Sequence, residues 1–600
     1  MKGRRSGARV GLLAAVAVAA CGARSELFFE IEPDGGSDAG QDVSRPDSGP
    51  GDVGIEAPVD ATFDAPDQAL DGPIDSIPAE AGDACDGMSV GSSCLPIVGS
   101  IPAPRPISPL STARVTSGIP LLTWELPSGV GGAVVECCGD RACTQIIQTF
   151  LAPGTSGHPT AMPSGVSFWR LLGVSGGSVG STPSPTWELF VPVAASPKVQ
   201  TWWGSTLDVN GDGLADVGVT ALALNSYSGA AYLYTSQRGV GPASMPLELD
   251  GPQPGDEYGC TIDSAGDVNG DGFGDLVVGQ CDLDNSGAGT ASYVYLGGPS
   301  GISPSPTALA APGYAAGTAG DVNNDGYGDL VVGSLGGVGY LYLGGAAGIG
   351  SPPIALGGTS GGSSTFGSAD VNGDGWQDLV VGASEASSRQ GAVSIYLGSP
   401  KGLSMTALPL SGPPAGPLEG FGGTIGVGDL DGDGYADVFV GAYLINGAAG
   451  EGYLFMGGPG GLDSPPVAFV DPNDAGASRY SVGLSGVHDV NGDGFDDFVV
   501  GAFLGGGAAW LYLGGTSGLS KPIPLVNPNG DSTANFGQGI AGGDVDGDGY
   551  ADVVVGSQGI GAYAGAAYLY RGSAGGLLAP TAVINPHPTA MGLFGLYVGM

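Results

Sequence analysis

Seven short acidic stretches carry the chemistry of this 600-residue chain. The first reads Asp208-Val-Asn210-Gly-Asp212-Gly213-Leu-Ala-Asp216, and the pattern returns at Asp267, Asp321, Asp370, Asp429, Asp489 and Asp544. Each copy keeps Asp at positions one, five and nine, Asn or Asp at position three and Gly at position six. Side-chain oxygens at this spacing converge on one point while the glycine permits the sharp turn, and a calcium ion is the hard cation such a turn holds.

The twelfth position separates this loop from a helix-flanked one, where a bidentate Glu would stand. Here it is Val219, Val278, Val332, Val381, Val440, Val500 or Val555. Each copy is therefore closed by its ninth-position Asp and runs straight into an apolar strand such as Leu276-Val277-Val278-Gly279. The loops are expected in strand-loop-strand hairpins.

The elements around them must be β. A Gly count of 117 with 46 Pro argues against long helices, and the length calls for more than one domain. The formal net charge is −42, but the Asp residues concentrate in the loops and in one N-terminal tract, leaving the strands nearly uncharged. Such acidity excludes nucleic acid as a partner, because phosphate binding needs Lys and Arg. Seven divalent ions would bring the total to roughly −28, so much of the imbalance reads as demand for cations.

Taken in order, residues 1–20 read as a signal peptide, with Lys2, Arg4, Arg5 and Arg9 ahead of a short apolar run. The run ends in Val18-Ala19-Ala20-Cys21, which resembles the lipobox of bacterial lipoproteins and implies a diacylglycerol on Cys21 as the mature N-terminus. Gly22 follows in place of the Asp that retains lipoproteins at the inner membrane, which implies an outer-membrane or cell-surface location in a Gram-negative bacterium. Residues 21–99 form a linker, acidic and Pro-rich from about Glu30 to Asp83, with too little apolar surface to offset ordering; it is expected to be a disordered tether. Cys85 and Cys94 bracket a loop suited to a disulfide. Residues 100–195 alternate as short strands, Leu121–Leu126, Ala133–Cys137, Gln145–Phe150, Val166–Leu172 and Thr186–Val191. With Pro104 to Pro109 opening it and Ser184-Pro185-Thr-Trp187 before its last strand, this segment resembles a fibronectin type III β-sandwich. Cys260 and Cys281 lie nearly equidistant from Asp271, which places them opposite one another on paired strands, and Cys143 closes a hairpin with Cys138 or Cys137. A metal site from Cys137, Cys138 and Cys143 is the rival reading, without a His at ligand spacing.

From residue 200 to 600 the loops recur every 49 to 60 residues, a period suited to propeller blades. An aromatic-Gly step precedes the loop (Trp203-Gly204, Tyr258-Gly259, Phe366-Gly367, Phe421-Gly422, Phe536-Gly537) and a strand ending in Gly follows it (Gly279, Gly333, Gly382, Gly441, Gly501, Gly556). At these residues the units resemble FG-GAP repeats, those of the integrin alpha-subunit β-propeller and of many bacterial surface proteins. The resemblance implies an all-β, seven-bladed propeller binding up to seven calcium ions, through side chains at positions one, three, five and nine and the carbonyl of position seven. Carried over, the ligands are Asp208, Asn210, Asp212 and Asp216 with the Leu214 carbonyl; then Asp267, Asn269, Asp271 and Asp275; Asp321, Asn323, Asp325 and Asp329; Asp370, Asn372, Asp374 and Asp378; Asp429, Asp431, Asp433 and Asp437; Asp489, Asn491, Asp493 and Asp497; and Asp544, Asp546, Asp548 and Asp552. Asp431 and Asp546 replace Asn at position three and should tighten binding by charge. The first repeat departs with Thr220 in place of the strand-ending Gly, and the third with Tyr314-Ala315 and Asn324. The terminal Leu593-Phe594-Gly595 resembles the start of an eighth unit, either a strand that latches the ring or the remnant of a lost blade.

These readings point to a calcium-dependent binding or adhesion module for a protein or glycan ligand, with calcium mainly structural. The alternatives are a constitutive scaffold for a cell-envelope assembly and a hydrolase. Against the hydrolase, His158, His488 and His587 belong to no nucleophile-base arrangement and the abundant Asp residues are accounted for as ligands, so no catalytic residues are assigned.

Overall fold

The computed structural model describes residues 87–191 and 206–600, apart from short stretches of which 252–256, 282–290, 358–364 and 413–419 are the longest. Cys21, Cys85, Asn324 and the expected signal peptide lie outside the described residues, as does nearly all of the tether. Numbering the acidic loops 1 to 7, each belongs to one of seven four-stranded antiparallel sheets. In the second sheet the strands are Tyr258–Gly266, Asp275–Gln280, Ser292–Tyr295 and Thr307–Ala308. The strand after each loop is buried along its whole length, as in Asp437–Ala442 and Asp497–Ala502, which is why it reads as an uninterrupted apolar run.

The innermost strands touch in cyclic order, from Tyr258–Gly266 through Ala315–Gly320, Thr365–Ala369, Phe421–Gly428, Tyr480–His488 and Phe536–Gly543 to Phe594–Gly599, which returns to Tyr258–Gly266. This is a seven-bladed β-propeller. Closure hides the sheet edges that an open array would leave along its inner seam.

The C-terminal segment is the latch. Blade 1 runs Leu247–Asp250, Ala230–Tyr234, Val217–Ala221 and then Phe594–Gly599, with Gly218 opposite Gly599 and Val219 opposite Val598. Loop 1 therefore departs from the expected hairpin, because the inner strand of its blade comes from the far end of the chain. Trp203-Gly204 lies outside the described residues, and Phe594-Gly595 occupies the aromatic-Gly place in that blade.

Close packing at the blade seams explains the paired glycines. A Cβ on Gly556 would fall 1.8 Å from the Gly595 carbonyl, and one on Gly501 the same distance from the Gly537 carbonyl. Where Thr220 breaks the pattern, the seam is less tight: a Cβ on Gly259 would stand 3.0 Å from the Thr220 Cβ.

Ahead of the ring, residues 87–191 build a small module with a seven-stranded sheet and a three-stranded sheet made of Arg105–Ser108, Leu122–Glu125 and Ser156–Gly157. The larger sheet contains Gly132–Cys138, Ile146–Pro153, Gly165–Ser175 and Trp187–Val191. Two of its short strands, Ile97–Val98 and Ala113–Arg114, pair in parallel. Trp124, Trp169 and Trp187 are fully buried at its centre, and this core runs on into Val380, Phe421 and Val438 of the ring.

Cys138 bonds to Cys143, with Cα atoms 5.1 Å apart, and Cys260 to Cys281, with Cα atoms 5.8 Å apart. Cys137 is the buried free thiol, pushed up to about 12 by desolvation, so the rival metal site is overturned: two of its three sulfurs are joined to each other. Cys94 is disulfide-bonded.

Candidate metal centres

Each loop is tied together by its own carboxylates. In loop 1, Asp208 Oδ1 accepts from the Asp212 amide at 3.1 Å and Oδ2 from the Gly213 amide at 2.8 Å. Asn210 Oδ1 accepts from the Asp212 amide, and Asp212 Oδ1 from the Leu214 amide, both at 3.0 Å. These are Asx-type turns, which fold the loop back on its own side-chain oxygens. The ninth-position Asp is anchored identically in all seven copies. Its Oδ2 accepts from the amide of position two at 2.9 to 3.1 Å. Its Oδ1 accepts from an amide just beyond the third strand at 2.7 to 2.9 Å.

Burial makes these acids hard to ionise, and neighbouring carboxylates of the same loop add to the effect. Asp208, Asp321 and Asp437 are pushed up to about 7, Asp370 and Asp429 to about 6, and Asp378 and Asp552 to about 8. Asp216, Asp275, Asp329 and Asp497 are also raised well above the ordinary carboxylate range, by burial first and by neighbouring carboxylates. Crowded, desolvated carboxylates of this kind are stabilised by a cation in their midst.

Ligand atoms of Asp429, Asp431 and Asp433 lie within 4.8 Å of one another, as do those of Asp544, Asp546 and Asp552. Asp546 Oδ1 is buried without a hydrogen-bond partner, an oxygen that a bound cation would satisfy. In loops 2, 3, 4 and 6 the position-three Asn instead donates its amide to the position-five carboxylate at 2.9 to 3.1 Å. All donors are hard oxygens with no sulfur or imidazole among them, a set that fits calcium or magnesium better than zinc. The charge of Asp546 is offset by Arg571, 2.9 Å away, which would counter the tightening expected there from an acidic third position.

Several contributors were invisible in the spacing. The amide at position eight donates to the carbonyl of position one in the preceding loop: Gly274 to Asp208, Gly328 to Asp267, Ala436 to Asp370, Asp496 to Asp429, Ala551 to Asp489 and Ala215 to Asp544, at 2.7 to 3.0 Å. The position-seven ring lies on the position-four glycine of the preceding loop, as with Phe273 on Gly211, Tyr327 on Gly270, Tyr435 on Gly373, Phe495 on Gly432 and Tyr550 on Gly492. The glycine at four and the aromatic at seven were the available signal. Asp496, at position eight of loop 6, is buried, and its Oδ2 accepts from the Asp429 amide at 2.9 Å. From the module, Arg141 and Arg105 reach loops 2, 3 and 4.

The histidines are dispersed. His158 contacts the Ile119 and Pro120 carbonyls, His587 lies 3.0 Å from Glu248, and His488 lines the central channel of about 330 Å³ together with Asp263.

A family model described as FG-GAP-like repeat matches residues 321–381, 370–440 and 489–555. Integrin alpha-PS5 of Drosophila melanogaster is 36% identical over 165 residues, covering 26% of this chain and 16% of that protein. Integrin alpha-7 of Rattus norvegicus is 37% identical over 147 residues, covering 23% and 13%. Integrin alpha-IIb of Mus musculus is 32% identical over 155 residues, covering 23% and 15%. The chain thus spans at most 16% of the length of these relatives. A solved structure of BBS1N in complex with ARL6DN, soaked with mercury, overlays at a TM-score of 0.33 and 14% identity, covering 65% of this chain and 96% of that one, too loosely to bear on the fold. On these matches, the ring of this chain carries FG-GAP-like repeats and is similar over part of its length to integrin alpha chains.

Proposed function

We propose that the chain is a calcium-stabilised binding or adhesion module displayed outside the cytoplasm, with calcium holding the ring in shape and the ring presenting loops to a protein or glycan ligand. The observation that carries this reading is the repetition of one all-oxygen, carboxylate-rich loop at equivalent places in seven blades. Likeness to integrin alpha chains supports recognition over catalysis, and the dispersed histidines agree with it. A lipid on Cys21, at the outer membrane or cell surface of a Gram-negative bacterium, and an acidic tether up to residue 99 would lift the fibronectin type III-like module (100–195) and the propeller (200–600) off the membrane. Among the described residues no helix is long and apolar enough to cross a membrane.

Binding of the purified chain to a glycan array and to whole cells, in calcium and in EGTA, tests the proposal. Calcium-dependent retention on a defined glycan or cell type supports it; no retention in either condition opposes it. Binding that persists undiminished in EGTA favours a constitutive scaffold.

A further inference from the structure

The module is seated on the loop face of the ring, and two arginines make that seat. Arg141 stands in the turn closed by the Cys138–Cys143 bridge, a turn braced by Asp140, which accepts from the Thr144 and Gln145 amides at 2.7 and 3.0 Å. Its guanidinium donates to the Gly270 carbonyl of loop 2 at 3.2 Å and to the Gly326 carbonyl of loop 3, and its Cζ lies 4.8 Å from the ring centre of Tyr327. Arg105 repeats the device one loop further on. It donates to the Asp374 carbonyl of loop 4 at 3.1 Å and lies 4.7 Å from the ring centre of Trp376. Both thus pair a loop carbonyl with a position-seven aromatic face, a combination that fixes direction as well as distance. Gly165 of the module also packs closely on Gly211 and Gly213 of loop 1. Among the described residues, no module arginine contacts loops 5, 6 or 7.

We propose that Arg141 and Arg105 form a cation-linked latch, in which ion binding at loops 2, 3 and 4 and docking of residues 87–191 onto the ring strengthen each other. The inference rests on the cation reading of the loops. The Gly270 and Gly326 carbonyls belong to residues with φ of +71° and +92°, a geometry held by the turns that the loop carboxylates cap. Without an ion the carboxylates repel, the turns loosen, and the carbonyls no longer meet the guanidinium. A contrary effect is that the Arg141 guanidinium lies 3.6 Å from Asp267, the first ligand of site 2, where it would repel an incoming cation. Glu188, fully buried, accepts from the Arg141 guanidinium at 2.6 Å and holds it against the loop carbonyls, so the latch acts through geometry. Linkage then requires the coupling to be the same in both directions.

The test follows hydrogen exchange of individual peptides of the full chain against free calcium, with Arg141→Ala, Arg141→Lys and Arg105→Ala beside the wild type. In the wild type, calcium withdrawal should raise exchange in the module strand Trp187–Val191, which carries Glu188. In Arg141→Ala the calcium midpoints of loops 2 and 3 should rise by about fivefold or more, the lower range of measured couplings. Loops 5, 6 and 7 should keep theirs. Arg105→Ala should move loop 4 alone, and Arg141→Lys should behave like Arg141→Ala because a point charge cannot bridge two carbonyls. If Arg141→Ala does not fold, Arg141→Lys and Arg105→Ala decide. Unchanged midpoints in the variants, or module exchange indifferent to calcium in the wild type, would overturn the latch. Absence of any calcium binding in the wild type would instead overturn the cation reading beneath it.

Discussion

Arg571 should weaken calcium binding at loop 7, and removing it should strengthen that site alone. Its Nη1 lies 2.9 Å from Asp546 Oδ2, and a carboxylate oxygen sits about 2.4 Å from a bound calcium, which puts the positive charge about 5 Å from the ion. With the Arg571 side chain 32% exposed and Asp546 7% exposed, the dielectric of bulk water sets the lower limit, at which a divalent ion is disfavoured by about 1.7 kcal/mol, or about 1 kcal/mol at physiological salt. Arg571→Ala should therefore tighten site 7 by at least about fivefold. Arg571→Lys keeps the charge and should leave the affinity near its original value. Because Arg571 also donates to the Val240 carbonyl across the seam between blades 7 and 1, the alanine variant loses some stability as well, and only a local readout isolates the ion. Exchange of the 544–552 peptide against free calcium supplies it, with the 429–437 peptide as internal control. A midpoint for loop 7 that stays put or moves to higher calcium would refute the electrostatic reasoning.

Further outcomes follow from the same loops and from the latch strand. In calcium-depleted buffer the ring should gain stability on acidification. Asp208, Asp321, Asp437, Asp378 and Asp552 are raised from 3.8 to about 7 or 8 in the fold, so their protons favour the folded state. That contribution is complete below about pH 4 and disappears as pH climbs through 7 to 8, so the depleted melting temperature should fall over that window. In excess calcium the order should reverse, since protons compete with the ion; thermal melts across pH in both buffers check this. Phe594→Ala should cost about 3–5 kcal/mol, because the ring is fully buried and packs 5.7 Å from Tyr232 at the closing seam, as denaturant unfolding would show. Gly501→Ala should cost about 3 kcal/mol in the same assay, its Cβ having nowhere to go beside the Gly537 carbonyl.

Much of the architecture was legible because the repeat states its own period. Seven copies of one loop fix where each blade turns, and the apolar run after each loop marks a strand buried on both faces. The strands of residues 122–191 were likewise readable from alternation and Pro/Gly punctuation, and the Cys260–Cys281 bond from symmetry about Asp271. The Phe594-Gly595 step marked a further unit, but its partner Val217–Ala221 lies almost 400 residues away in sequence, which left open whether that unit latched the ring. Three things were hidden, each for a physical reason. The inter-loop hydrogen bonds run from main chain to main chain, so any side chain at position eight permits them, Asp496 as readily as Ala215 or Gly274. The arginines of the module contact loop carbonyls, which carry no sequence signature. Arg571 is hidden likewise, standing apart from Asp546 in sequence and beside it in space.

The most direct test is to count calcium bound to residues 200–600 within the full chain and to melt that chain with and without EGTA. With dissociation constants near 0.1 mM and free calcium near 1 mM, each site would supply about 1.4 kcal/mol and seven together about 10 kcal/mol, comparable to the stability of a whole domain. The account predicts up to seven ions and a large fall in melting temperature on chelation. A chain that binds no calcium, or melts identically in EGTA, would contradict it.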